Sequence, residues 1–232
     1  MSIDKSFTEL LTRLKVTFKN EQLLKTAFAH RSYLNEAGKD WESNERLEFL
    51  GDAILAYVVS AFLYRKYPEQ PEGVLTNMRS TIVKTGTLAS IAEELDFGAY
   101  LFLSKGELEG GGASNPSLLA DTFEAFLGAL YLDQGLAAAE EFLNRILLAR
   151  SPQILDKQLN SDYKSKLQEI VQTFSRVAPT YRVTKTEGPD HAKTFWVAVV
   201  IDGVEKETGQ GQSKQEAEQD AAAKTLEKMG KL

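Results

Sequence analysis

The sequence predicts a multidomain chain, an all-α domain followed by a smaller α+β unit of α-β-β-β-α order. Three observations carry that expectation. From residue 6 to about 148, apolar residues recur at helical spacing with almost no alternating segments. Beyond about residue 160 the pattern changes to one helix, three strand-like runs and a closing helix. Charge divides at the same place: residues 160–232 hold 11 Lys and Arg against 11 Asp and Glu, so the net −6 of the 232-residue chain lies in residues 1–159. The expected organisation is a first domain over 1–150, a linker over 151–160 and a second domain over 161–232.

The N-terminal MSIDKSFTELLTRL reads as an amphipathic helix and lacks the apolar stretch of a secretory leader. Further helical segments follow, separated by NEAGKDWESN, YPEQPEG and KGELEGGGASNPS, whose Gly, Pro, Asn and Ser break helices. No apolar run approaches the roughly 20 residues of a membrane span, so a cytoplasmic location and no membrane partner are expected. Periodicity fades in LLARSPQILDKQLNSD, around Pro152. In the second domain a helix is expected over 162–175, strands in TYRVTKTE, TFWVAVVID and VEKETGQG, and a helix over 213–229. Asp202-Gly203, between the last two strands, is a pair that favours a tight hairpin.

Composition narrows the chemistry. Cys is absent, which excludes disulfides, thiolate catalysis and Cys-held zinc, and His30 and His191 are the only imidazoles. A metal must then be held by oxygen. His30, in the apolar AFAHRSY, reads as a structural histidine. GQGQSK lacks the Lys-Ser/Thr ending of a phosphate-binding loop, so no nucleotide cofactor is expected.

Two helical stretches carry acids where apolar residues belong. In NERLEFLGDAIL, Glu45, Glu48 and Asp52 share one side of a helix beside Leu47, Leu50 and Ile54. In SLLADTFEAFLGALYLD, Asp121 and Glu124 lie one turn apart in a run that is otherwise almost wholly apolar. Glycine inside a helix costs about 1 kcal/mol relative to Ala, yet Gly51 and Gly128 both fall on the acidic sides. A missing side chain lets backbones approach, so the two helices are expected to cross there and converge Glu48, Asp52, Asp121 and Glu124. The plainer reading makes these acids helix N-terminal charges or partners of Arg31, Arg46 and Arg79. Four carboxylates in a poorly solvated cleft need a cation to stay ionised together. Hard divalent ions fit, Mg²⁺ first, and neither helix has the Glu-x-x-His pairs of a di-iron bundle. Such a site suits phosphodiester hydrolysis.

At these residues the chain resembles the ribonuclease III family. ERLEFLGDAIL resembles the family signature, and HRSY, PEG followed by LT, and LADTFEAFLGALYLD fall in the family's order across essentially the whole chain. The resemblance implies a homodimeric endonuclease, dependent on Mg²⁺ or on Mn²⁺ in its place, that cuts double-stranded RNA to 5′-phosphate and 3′-hydroxyl ends in the processing of ribosomal and other structured RNA. It implies that Glu48, Asp52, Asp121 and Glu124 bind metal, with Asp52 and Glu124 the catalytic pair, and that Phe49 plugs the partner subunit. Glu72 matches an acid near the RNA channel and, on its own, reads as a turn residue. The alternative is an inactive RNA-binding or ribosome-associated member of the fold, which would be free to lose an acid; all four are present. Ala113, Ser114, Asn115 and Asn77 stand where many family members carry basic residues, so the first domain is expected to make fewer phosphate contacts.

Residues 162–230 resemble a double-stranded RNA-binding domain, which spans two minor grooves of A-form RNA and the phosphates between them. The expected contacts are Gln168, Glu169 and Gln172 on one helix face, His191 and Lys193 in the GPDHAK turn, and Ser213 and Lys214 at a helix start. Ser213 and Glu216 form the Ser-x-x-Glu of a capping box. Zero net charge and Gln215 at a position where Lys is common predict modest, salt-sensitive affinity.

Overall fold

The computed structural model describes residues 5–37, 41–159, 163–188 and 193–231. Two compact units divide the chain, Met1–Leu155 and Asp156–Leu232. The first contains α1 (Lys5–Leu14), α2 (Glu21–Ala27), α3 (Glu45–Lys66), α4 (Glu72–Val83), α5 (Thr85–Glu94), α6 (Lys105–Glu109), α7 (Pro116–Gln134) and α8 (Leu136–Ile146), and α9 (Ser151–Leu159) crosses the boundary. As expected, this unit is all-α. Among the described residues its β structure is an isolated bridge between Ala29 and Phe102.

The helices α3 and α7 form its centre. Contrary to the expectation that no stretch approaches a membrane span, the 22-residue α3 has the length and apolar composition of one, and here it buries Leu47, Ile54, Leu55, Val58, Val59 and Leu63 in the core. α7 is buried from Thr122 to Leu130 except at Glu124. Asn115 caps it by accepting the Ser117 N–H at 2.9 Å, Pro116 occupies the first turn where no N–H is needed, and Gly135 ends it at a positive φ of 84°. Around this pair Phe28, Phe97, Phe123, Phe126 and Phe142 are fully buried, with ring centroids 5.2–6.4 Å apart in successive contacts. Burying each such ring contributes about 1.5–3 kcal/mol, so the scaffold beneath the acids is stiff.

The stretch expected as a linker is helical over Ser151–Leu159. Pro152 lies in the first turn, where proline costs nothing, so the residue that marks a break in the sequence here starts a helix.

The second unit contains α10 (Tyr163–Gln172), β1 (Thr180–Glu187), β2 (Thr194–Ile201), β3 (Val204–Gly211) and α11 (Lys214–Lys228). The strands form one antiparallel sheet in the order β1-β2-β3. The predicted hairpin is present: Ile201 pairs with Val204 across Asp202 and Gly203, whose φ values of 50° and 77° are both positive, as a two-residue primed turn requires. Leu167 and Val171 of α10, Val199 and Ile201 of β2, and Ala221, Ala222 and Leu226 of α11 close the core. α11 lies directly on β3 because Gly209 has no side chain; a Cβ there would meet the backbone of Ala217 and Ala221.

Candidate active site and RNA-facing surface

The two central helices cross at their glycines. A Cβ on Gly51 would fall within 3.0 Å of the Glu124 carbonyl oxygen, and one on Gly128 within 3.0 Å of the Leu47 carbonyl oxygen. That approach brings the acidic sides of α3 and α7 together. Glu48, Asp121 and Glu124 each offer one oxygen, and these three atoms lie within 4.8 Å of one another. Asp52, one turn beyond Glu48, is exposed and stands outside that trio, although its charge acts on both Glu48 and Glu124.

The electrostatics are those of an uncompensated cluster. Burial, reinforced by the charges of Asp52, Glu48 and Asp121, pushes Glu124 up to about 8. Burial, then Asp121, Glu45 and Asp52, raises Glu48 above the ordinary carboxylate range. Burial raises Asp121 as well, with His30 opposing it. Among the described residues no Lys or Arg lies within ion-pair distance of the four acids: Arg31 pairs with Glu45 at 3.6 Å, and Arg79 donates to the Ser60 hydroxyl at 3.0 Å. The reading of the acids as arginine partners therefore has no geometric support. The donor set fits a hard divalent ion, since all three ligands are carboxylate oxygens and an octahedral Mg²⁺ shell is about 4.2 Å across. Small rotations of half-buried side chains would close that gap.

A cavity of about 230 Å³ opens beside the trio, and Glu48, Asp121 and His30 share its wall. Sequence reasoning placed His30 among structural residues. Its ring does cap the Arg31–Asn35 turn by accepting the Ser32 N–H at 3.3 Å, and it is also half-buried at this cavity, because the backbone bonds from His30 N–H to Phe102 O (3.1 Å) and from Asn44 N–H to Ala29 O (2.8 Å) fix its segment next to the start of α3. The contact joins positions some 90 residues apart, which helical spacing does not report.

Comparison with known proteins decides the family. The Ribonuclease-III-like family pattern matches residues 20–151, and the double-stranded RNA binding motif matches residues 163–229. The chain is 47% identical to Ribonuclease 3 of Streptococcus thermophilus over 218 residues, 93% of this chain and 94% of that one. It is equally identical to Ribonuclease 3 of Enterococcus faecalis over 223 residues, 94% and 95% of the two chains. Among solved structures, a nuclease domain of ribonuclease III from Campylobacter jejuni superposes with a TM-score of 0.57 at 36% identity, covering 62% of this chain and 94% of that one. The chain belongs to the ribonuclease III family. It is an endoribonuclease whose second unit is a double-stranded RNA-binding domain.

The remaining residues singled out in this ribonuclease III chain lie as follows. Phe49 projects from α3 with 80% of its surface exposed, and Tyr57, two turns on, is also exposed. Glu72 opens α4, where it accepts the Thr76 hydroxyl at 3.0 Å. Gln168, Glu169 and Gln172 are exposed on α10, opposite the buried Leu167 and Val171. Lys193 is half-buried just before β2, and His191 lies outside the described residues. Ser213 caps α11 by accepting the Glu216 N–H at 3.1 Å, while Glu216 reaches back to the Gln212 N–H at 2.9 Å, one residue earlier than in the usual box. Lys214 follows, exposed. Five other cations of this unit, Lys164, Arg182, Lys185, Lys224 and Lys228, are each engaged by a carboxylate.

Proposed function

We propose that this ribonuclease III cuts double-stranded RNA with Mg²⁺ held by Glu48, Asp121 and Glu124, Asp52 standing beside them, and leaves 5′-phosphate and 3′-hydroxyl ends. The observation that carries the reading is the trio of carboxylates within 4.8 Å, raised in pKa and, among the described residues, with no Lys or Arg at ion-pair distance. Bound there, Mg²⁺, or Mn²⁺ in its place, supplies a Lewis acid that activates water and stabilises the departing oxygen. The protein's own part is positional. The α3–α7 crossing fixes the carboxylates before substrate arrives, and Glu124, which burial holds protonated, would have to be ionised to serve as a ligand. Asp52, exposed at the open edge, accepts a hydrogen bond from the attacking water. Gln168, Glu169, Gln172, Lys193, Ser213 and Lys214, with His191, hold the duplex, and the substrates are ribosomal and other structured RNAs.

The chain acts as a homodimer in this reading. The exposed stripe of Phe49, Ala53 and Tyr57, four residues apart along α3, is the surface that a partner would cover. A second structure of the Campylobacter jejuni nuclease domain, 37% identical with a TM-score of 0.56 over 60% of this chain and 93% of that one, is described as having a region involved in dimer formation.

Glu124→Gln tests the site. It keeps size and hydrogen bonding but removes a ligand charge, so cleavage of long duplex RNA should fall by about a thousandfold or more, equivalent to about 4 kcal/mol. RNA binding should persist in a gel-shift assay. Normal Mg²⁺-dependent cutting by the variant would sink the assignment.

A further inference from the structure

The cavity beside the acids sets three carboxylates among donor side chains, and a phosphate needs donors that the protein has not already engaged. Among its polar side chains, Thr122 donates to Leu118 O at 2.6 Å, Asn44 reaches Ala27 O at 3.5 Å, and Arg31 turns to Glu45 at 3.6 Å. Glu48 and Asp121 only accept when ionised. His30 differs. Its Nδ1 lies 3.3 Å from the Ser32 N–H and 2.9 Å from the Ser32 hydroxyl, whose oxygen accepts the Ser104 N–H at 3.1 Å. Two donors from one residue converge on Nδ1, so that nitrogen is the acceptor and Nε2 carries the hydrogen. Among the described residues Nε2 has no protein partner. The ring and the Asp121 carboxylate line the same cavity.

We propose that His30 is a catalytic residue whose Nε2–H donates a hydrogen bond to a non-bridging oxygen of the RNA phosphate being cut. The Ser104–Ser32–His30 chain holds the neutral tautomer ready, and the bond from His30 N–H to Phe102 O at 3.1 Å fixes the backbone. Neutrality suits the place. A lysine or arginine there would pair with Asp121 and cancel the negative charge that a metal requires, whereas a neutral imidazole orients the phosphate and leaves the carboxylates to the cation.

The inference rests on the acid trio being the cleavage centre, so Glu124→Gln is measured beside His30→Ala and His30→Gln. Single-turnover cleavage of duplex RNA is compared with Mn²⁺ binding to the RNA-free protein by electron paramagnetic resonance. His30→Ala should slow cleavage about a hundredfold, the loss typical of one donor to a reacting oxyanion. Its Mn²⁺ affinity should stay unchanged, and His30→Gln, whose amide places an N–H near Nε2, should recover most of the rate. Parent-like cleavage by His30→Ala, weakened Mn²⁺ binding in proportion to the lost rate, or a His30→Gln as slow as His30→Ala while melting like the parent would each overturn it. If Glu124→Gln itself cuts normally, the acid site is what fails. A dead Glu124→Gln beside a fast His30→Ala removes the histidine alone.

Discussion

Gly51 of α3 is seated against the main chain of Glu124 in α7, so closely that a Cβ on residue 51 would come within 3.0 Å of the Glu124 carbonyl oxygen. The same contact that packs the core therefore sets the spacing of the acids. Gly51→Ala gains about 1 kcal/mol of helix propensity, but the obstacle is backbone, which cannot rotate away. Overpacking of this kind costs about 1–3 kcal/mol, at the upper end here, and the helices must separate to relieve it. The variant should melt lower and lose metal affinity with it. Gly86, in α5, has nothing within 4 Å of its would-be Cβ, so Gly86→Ala should stabilise by about 0.5–1 kcal/mol. Equal melting temperatures for the two variants would contradict the crossing.

Burial raises all three acids of the trio, like charges add to it at Glu48 and Glu124, and Glu124 is pushed up to about 8. Between the ordinary carboxylate value near 4.5 and about 8, the folded chain keeps a proton on Glu124 that the unfolded chain has released. Stability of the metal-free protein therefore falls as pH rises through that window and levels off above it. Cation binding needs the ionised acids and releases their protons, so Mg²⁺ affinity and cleavage should climb from pH 6 to 8. At a hundred times its Kd, Mg²⁺ adds about 2.7 kcal/mol, or roughly 5–10 °C in Tm for a domain of this size. At fixed sub-saturating Mg²⁺ the shift should be larger at pH 8 than at pH 6. Scanning calorimetry across pH, with and without the ion, checks this, and the same Mg²⁺ shift at both pH values would count against the cluster.

The acids were legible in the sequence because a carboxylate at helical spacing inside an apolar run is costly and needs a reason. The paired glycines supplied the crossing. What spacing could not show is that Asp52 turns to solvent, because Glu48 and Asp52 differ by one turn and only the packing of α7 distinguishes them. His30 was hidden for a similar reason: its apolar neighbours Ala27, Phe28 and Ala29 are buried while its ring stands at the cavity wall. The one local hint is Ser32, two residues on, able to fix a ring nitrogen. The second unit was legible through alternation and the Asp202-Gly203 turn, even though β1 is exposed along almost all its length. The helix Ser151–Leu159 was not, since Pro152 signals a break wherever it stands.

Phe49 offers a test of assembly. An aromatic ring 80% exposed beside an exposed Tyr57 gains about 2–3 kcal/mol when a partner covers it. Phe49→Asp should weaken dimerisation by roughly a hundredfold in Kd, since about 2.8 kcal/mol is two decades. Sedimentation at micromolar concentration should show a parent dimer and a variant shifted toward monomer with fewer double-strand cuts. A monomeric parent that still cleaves both strands would dispose of the idea.

Removing residues 160–232 separates chemistry from holding. The carboxylates all belong to the first unit, whose hydrophobic core is drawn from its own residues, Phe7 to Leu155. The truncated protein should therefore fold and cut at low salt. Its affinity for RNA should be poor, because the first 159 residues carry the entire net −6 and face a polyanion. Each phosphate contact costs roughly one decade of affinity per decade of salt. In the full chain five of the 11 Lys and Arg beyond residue 159 are already engaged by carboxylates, so at most six remain for phosphate. The full chain's log–log salt slope should accordingly be shallow, corresponding to a handful of contacts, with activity surviving at physiological ionic strength. The truncated enzyme should fall silent before that point, since screening removes what little attraction the catalytic unit has. Initial rates of both proteins across a salt series at fixed Mg²⁺ decide it. Equal rates at every salt would mean the second unit is not the anchor, and complete inactivity of a folded truncation at low salt would mean that part of the chemistry lies beyond residue 159.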